Sequence, residues 1–330
     1  MLKSGAFCDS LGICAGDEVG FELMGHGEYN LNYMLRLPST GEKLVLRIPM
    51  GSQMHLSKQI RYEYDALRLL ESSGRTPKPL YIDDSLETIP YEFLVMNFLP
   101  GRALNYQHDL EKAAACLADI HNLEIPENNH LLSPHDPLAA ILDECRVMFS
   151  HYQKSDLACE DTKCLIASLL VRGEKLLESE RQKSPRCLIN TELNSGNFLV
   201  CNNTYLIDWE KPLYACLSQD LGHFLAPTTT FWKTDTILTD SEIQKFMQSY
   251  CINSTRYSNP SELWNETLPY FTMTCLRGIT WCAMAWVEYQ NPGRILKDAF
   301  TYEKINTYIS PEFLSSIEEN YFRKGLEARG

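Results

Sequence analysis

Nowhere in its 330 residues does the chain run apolar for the ~18 positions that a membrane-spanning helix needs, so no span and no membrane partner are expected. No Cys-x-x-Cys occurs among the 12 cysteines, and the nearest pairs, Cys8/Cys14 and Cys159/Cys164, lack zinc-ligand spacing. The cysteines therefore read as reduced, mostly buried small hydrophobes. Basic charge is also scarce. Thirty Lys and Arg face 43 Asp and Glu, a formal net charge of −13, which is the wrong sign for a nucleic-acid partner. The same sign is compatible with a cationic acceptor drawn into a negative cleft, although solubility is the plainer use of any one acidic residue. The first ten residues carry one Lys and an early Asp9, a poor signal peptide, so a cytoplasmic location is expected. No internal repeat, low-complexity run or long flexible linker interrupts the chain.

What remains is globular. A hydrophobic share of 44% and a charged share of 22% are ordinary for a packed protein, and the length suffices for two lobes. The first hundred residues alternate in the strand manner around one helix. Val19–Met24, Leu31–Leu37 and Lys43–Ile48 read as strands, the last closed by Pro49. From His55 to Ser73, Ile60, Tyr64, Leu67 and Leu70 recur at helical steps, and Gly74 stands where a C-cap belongs. Leu80–Ile82 and Tyr91–Met96 read as two more strands. Past Pro100-Gly101 the period turns helical, over Leu110–His121, Leu138–Phe149, Lys163–Leu177, Ile243–Tyr250 and Leu263–Tyr289. Periodicity alone establishes an α+β chain.

The densest chemistry lies between Cys187 and Glu210. A polar loop, Asn190 to Asn197, follows Leu188-Ile189, and Phe198-Leu199-Val200 begins a hairpin whose second strand delivers Asp208. This order gathers Glu192, Asn197 and Asp208 at neighbouring strand ends. A base and oxygen ligands are what Mg²⁺ and a phosphoryl group require. Glu192 and Asn197 stand five apart, the spacing of Asp and Asn in the kinase catalytic loop.

With Ile207-Asp208-Trp209-Glu210 following, the chain resembles the aminoglycoside phosphotransferase and choline kinase-like families. Their loop reads H-x-D-x-H/N-x-x-N before a hydrophobic-Asp-Trp-Glu. Asn190 stands here for the first His and Glu192 for the base Asp. The resemblance runs from about Val19 to about Ala226 and thins in the last hundred residues. It implies a bilobal protein-kinase-like fold, with a small five-stranded nucleotide lobe over residues 1–98. A larger helical lobe over 99–330 would carry the catalytic loop and the acceptor site.

The resemblance also implies roles. Gly25 and Gly27, in Gly25-His-Gly-Glu-Tyr-Asn30, occupy the phosphate-covering turn, where lack of a Cβ lets backbone N–H groups approach anionic oxygens. Many plain hairpins use the same pair. Arg47 stands on the third strand where kinases place a Lys for the α/β-phosphates, and Glu63 on the following helix matches its carboxylate partner. A purely structural pair is the alternative, and Lys43 on the same face ranks second. Met96 and Phe98 lie in the hinge that would take adenine. Glu192 would orient the acceptor hydroxyl, and Asn194 falls near the transferring phosphoryl. Asn197 and Asp208 would hold Mg²⁺, and Asp220 would brace the loop. Trp281, Trp286 and Tyr289 could cage a quaternary amine, but core packing is the plainer reading.

The expected activity is an ATP- or GTP-dependent, Mg²⁺-dependent transfer to a hydroxyl of a small molecule of aminoglycoside, amino alcohol or sugar type, with amino-acid acceptors also open. The alternative is a non-catalytic nucleotide-binding pseudokinase or scaffold, suggested by the departures at Arg47, Asn190 and Glu192. A protein kinase is disfavoured because no A-P-E follows Asp208.

Overall fold

A computed structural model describes residues 5–14, 17–26, 30–52, 54–87, 89–178, 184–291 and 298–323. A short helix, α1 (Gly5–Leu11), precedes strands β1 (Phe21–His26), β2 (Asn30–Arg36) and β3 (Lys43–Pro49). Helix α2 (Gln59–Leu70) and strands β4 (Pro79–Asp83) and β5 (Phe93–Asn97) follow. The five strands form one antiparallel sheet in the order β1-β2-β3-β5-β4.

Strand parity gives this sheet two different faces. Leu35, Leu44, Leu46, Phe93 and Val95 point one way and pack with Phe7 and Leu11 of α1 in a small apolar core. Asn32, Arg47 and Leu94, which sit opposite one another in register, point the other way, toward the helical part of the chain. Helix α2 starts at Gln59, four residues later than its periodicity suggests. His55 takes a left-handed φ of 54°, and Ser52 Oγ accepts from Leu56 N, so the chain turns there before it can wind. A 3₁₀ turn over Glu71–Ser73 extends the helix to Gly74, which caps it at φ 64° and donates to the Glu71 carbonyl.

The larger lobe begins with β6 (Arg102–Ala103), α3 (Leu110–His121), α4 (Pro137–Gln153) and α5 (Glu160–Glu178). It continues through β7 (Arg186–Ile189), β8 (Phe198–Val200), β9 (Thr204–Leu206) and β10 (Leu213–Cys216). Helices α6 (Leu217–Leu225), α7 (Pro227–Lys233), α8 (Asp240–Asn253), α9 (Pro260–Gln290), α10 (Ala299–Tyr308) and α11 (Pro311–Ile317) complete it. Local chemistry sets many of the helix starts. Asp136 accepts from Leu138 N and Ala139 N ahead of Pro137, Thr239 and Glu242 form a capping box, and Asn259 caps α9 ahead of Pro260.

The central helix is α9, which packs against α4, α6, α7, α8 and α10. Its crossing with α6 is close because residue 222 is glycine: a Cβ there would stand 2.5 Å from Phe271 N and 2.8 Å from Tyr270. Six of the cysteines are buried, and Cys14, Cys159, Cys164 and Cys201 are exposed. Among the described residues no helix is long and apolar enough to cross a membrane.

Candidate active site

The inward face of β3 delivers Arg47 to the junction of the two lobes. Its Nε lies 3.0 Å from the Glu63 carboxylate on α2, and its Nη2 reaches Asp208 Oδ1 at 2.7 Å and Glu210 Oε2 at 3.3 Å. Asn30 on β2 also donates to Glu210, and Gln59 Nε2 donates to the Glu210 carbonyl at 2.7 Å. One guanidinium thus serves three carboxylates, with Arg47 and Glu63 4% and 2% exposed. Burial disfavours the Arg47 charge, but Glu63, Asp208 and Glu210 together outweigh it and push the group further up. Burial raises Glu63 to about 7 against the pull of Arg47, helped by Asp208 and Glu210. Lys43 stands at the other end of β3 with its Nζ 5.3 Å above the Phe98 ring, so Arg47 is the cation that meets Glu63.

The polar loop between β7 and β8 is held from beneath. Both Asp220 carboxylate oxygens accept backbone N–H bonds, from Asn190 and Thr191, each at 2.8 Å. His121 Nε2 lies 3.4 Å behind Asp220, with Tyr250 OH 3.0 Å from its other ring nitrogen. Thr191 has φ 72°, a strained setting for a β-branched residue, and its Oγ1 donates to the Lys211 carbonyl at 2.8 Å.

Asn197 and Asp208 come together as the spacing suggests. Ile207 N donates to the Asn197 carbonyl at 2.8 Å, and Asn190 Nδ2 donates to the Asp208 carbonyl at 2.9 Å. The Asn197 amide N–H bonds the Glu192 carbonyl at 2.8 Å, which orients the amide and leaves its Oδ1 as an acceptor. Asp208, at φ 64°, keeps Oδ2 clear of any partner among the described residues and is 36% exposed.

Glu192 differs from an unencumbered base. Its Oε1 receives Lys211 Nζ at 2.8 Å and Arg277 Nη2 at 3.1 Å. Arg277, from α9, also grips Glu144 of α4 through Nε at 2.9 Å and Nη2 at 3.2 Å. Burial opposes the Glu192 charge, but Arg277 and Lys211 prevail and hold it far below the usual carboxylate range. A cavity of about 250 Å³ opens beside this cluster, with Thr191, Lys211, Glu144, Gln219, His223 and Arg277 in its wall. Burial lowers the His223 imidazole from 6.5 to about 4, so it is neutral at physiological pH.

The remaining predicted residues divide. Asn194 does not point into the cleft as a free group: its Oδ1 accepts from Gly196 N at 2.9 Å and its Nδ2 donates to the Glu192 carbonyl at 3.2 Å. It shapes the turn Ser195–Asn197, because a short amide side chain satisfies its own neighbours' backbone most easily. Gly25 lies on β1 opposite Asn32, next to a register shift after Leu23, while Gly27 lies outside the described residues. Met96 and Phe98 are half-buried at the end of β5, and the Phe98 N–H already donates to the Lys43 carbonyl at 3.2 Å. Trp281 packs edge-on with Trp232, Trp286 with Tyr152, and Tyr289 stacks on Tyr302. These rings serve packing.

Sequence reasoning passed over Glu144, Lys211, Gln219, His223 and Arg277. A Lys one residue after Asp-Trp-Glu was the only local signal.

The model of the phosphotransferase enzyme family matches residues 20–263. The choline kinase of Cryptosporidium parvum superposes with a TM-score of 0.69 at 13% identity, over 97% of this chain and 96% of that one. The ethanolamine kinase of Plasmodium vivax gives 0.65 at 14%, over 94% and 86%. Spectinomycin phosphotransferase, solved with ADP and spectinomycin, gives 0.64 at 15%, over 96% and 97%. At these identities the likeness is one of fold, the bilobal protein-kinase-like arrangement of a five-stranded lobe and a helical lobe. No curated protein matches the sequence. The family match covers well over half of the chain, on both sides of the Arg47–Asp208 contact, and on that ground the chain belongs to the phosphotransferase enzyme family.

Proposed function

We propose that the protein transfers the γ-phosphoryl group of ATP to a hydroxyl of a small molecule. In this reading residues 1–98 form the nucleotide lobe and 99–330 the acceptor lobe. The observation that carries it is the single contact network joining Arg47 and Glu63 of the sheet lobe to Asp208, beside Asn197. Arg47, fixed by Glu63, faces the α/β-phosphates. Gly25 and Gly27 cover them, and Met96 and Phe98 wall the adenine. Asn197 Oδ1 and Asp208 Oδ2 form the hard-oxygen pair that would hold Mg²⁺. Two protein ligands suit an ion that takes its other oxygens from phosphates and water. When bound, the ion supplies neutralisation of phosphate charge.

In the transfer, the acceptor oxygen bonds to the γ-phosphorus while the bond to the β–γ bridging oxygen breaks. ADP leaves with that electron pair, and the hydroxyl proton passes to Glu192 or to water. Glu192, ionised by its cations, is a strong hydrogen-bond acceptor but a weak base, so its main work is to orient the hydroxyl. A loose phosphoryl transition state asks little more than that.

The cations on Glu192 also favour the second reading, a nucleotide-binding protein without turnover, because they lower the basicity of the group. Calorimetry with Mg²⁺ and ATP or GTP, followed by an ADP-release assay with hydroxylated acceptors, separates the two. Binding with acceptor-dependent ADP release supports the kinase. Binding without release by any acceptor supports the non-catalytic protein. Absence of binding at millimolar nucleotide defeats both.

A further inference from the structure

We infer that the acceptor carries a carboxylate next to its hydroxyl, read by Arg277 and Lys211, and a donor group read by Gln219; this rests on the phosphotransferase reading above. The cavity beside Glu192 holds about 250 Å³, below the ~300–1,000 Å³ of sites for drug-sized ligands. It suits a molecule of one short chain or one ring.

The two cations of its wall face carboxylates, Lys211 meeting Glu192 and Arg277 meeting both Glu192 and Glu144, and His223 is neutral. Glu144 is a spent partner, and Glu192 is engaged, among the described residues, through Oε1 alone, which leaves Oε2 for the acceptor hydroxyl. Arg277 grips both Glu144 oxygens, and Glu192 Oε1 takes two cations. The cations are not spent. Arg277 Nη1 has no partner among the described residues, and Lys211 makes a single contact through Nζ. A guanidinium edge and an ammonium together make a carboxylate seat.

Gln219 supplies an independent observation. It is 9% exposed, it lines the same cavity, and its Oε1 is buried with no hydrogen-bond partner among the described residues. A buried carbonyl in that state takes a donor, from water when the cavity is free and from a ligand when it is filled. The wall therefore fits a carboxylate at Arg277 and Lys211 and an N–H or O–H at Gln219, with the hydroxyl directed to Glu192 beside the cavity. Small hydroxyamino acids and sugar acids have this pattern.

The test is an ADP-release assay with Mg²⁺ and ATP, using matched probes. L-Homoserine, L-serine and D-glycerate carry the acid; ethanolamine, choline and glycerol lack it. At least one acid probe is expected to be turned over about tenfold faster than its acid-free counterparts. Arg277→Lys, which keeps the charge and removes the fork, should raise KM for that acid at least about tenfold with a smaller change in kcat. Gln219→Met leaves every ion pair in place and should raise the same KM severalfold, so the inference stands on a second variant if Arg277→Lys folds poorly. Equal or better turnover of the acid-free probes overturns the inference and leaves the kinase reading intact. So does rejection of every acid probe by a protein that calorimetry shows to bind nucleotide. Absence of nucleotide binding overturns both together.

Discussion

Arg277 Nη2 and Glu192 Oε1 meet at 3.1 Å across 85 residues of chain. That contact decides what the loop carboxylate can do. Together with Lys211 it keeps Glu192 ionised far into the acid range, against the effect of burial. Glu192→Gln retains shape and removes charge, so ATP affinity should stay within about twofold by calorimetry while turnover falls by roughly 10²-fold, the low end of the range for a proton-accepting group. A loss of nucleotide binding of the same size would contradict this division of labour.

Arg47 is a buried cation with a buried partner. Arg47→Met strands the Glu63 carboxylate and should lower stability by about 3–5 kcal/mol in urea melts. The double variant Arg47→Met/Glu63→Leu should recover most of that loss, because two apolar side chains pack where an ion pair stood. It should still fail to bind Mg²⁺ and ATP. Restored nucleotide binding in the double variant would show the pair to be purely structural.

Asp208 and Asn197 should separate metal dependence from folding. Asp208→Asn removes the anionic oxygen that faces the cleft and is expected to cut turnover by roughly two orders of magnitude. Calorimetry should then show the same ATP affinity with and without Mg²⁺. A retained Mg²⁺ effect would place the ion elsewhere.

His223 makes a pH prediction whose sign is fixed by burial. Its folded value of about 4 lies below the ordinary 6.5. Between those values the unfolded chain takes up a proton that the folded chain refuses, so stability falls as pH drops through this window. Glu63 acts oppositely: raised to about 7 from 4.5, it binds a proton in the folded state first, and stability from it grows on acidification through that range. His223→Gln removes only the first effect. The variant should lose less stability than wild type between pH 6.5 and 4 in chemical denaturation. Parallel curves would refute the assignment.

The α6–α9 crossing can be tested at one atom. Gly222→Ala places a methyl against Phe271 N and Tyr270 and should cost about 2 kcal/mol or more by overpacking. Because α6 carries Gln219 and His223 while α9 carries Arg277, acceptor KM should rise with it and nucleotide affinity should not. An unchanged acceptor KM would mean that the crossing does not set the cavity.

Much of the Arg47–Asp208 side of the candidate site was legible in the chain because its signals are short-range. The parity of β3 put Arg47 on one face, helical spacing put Glu63 on α2, and the five-residue step from Glu192 to Asn197 survived folding as a loop. Asp220 sits beneath that loop as the family resemblance implies. Helix α1 was missed because seven residues with two buried apolar positions carry too little periodicity. The early start assigned to α2 failed because a left-handed residue, His55, leaves no mark in a hydrophobic pattern.

Sequence by itself determined the α+β order, the five strands before the helical region and the candidate nucleotide ligands, since each depends on residues a few positions apart. Tertiary structure alone decided the environment of Glu192 and the shape of the cavity beside it. Arg277 reaches Glu144 across 133 residues only because α9 packs on α4 and passes α6 at a glycine. The charge a carboxylate feels depends on such distant partners and on burial, and neither has a period that a sequence can display.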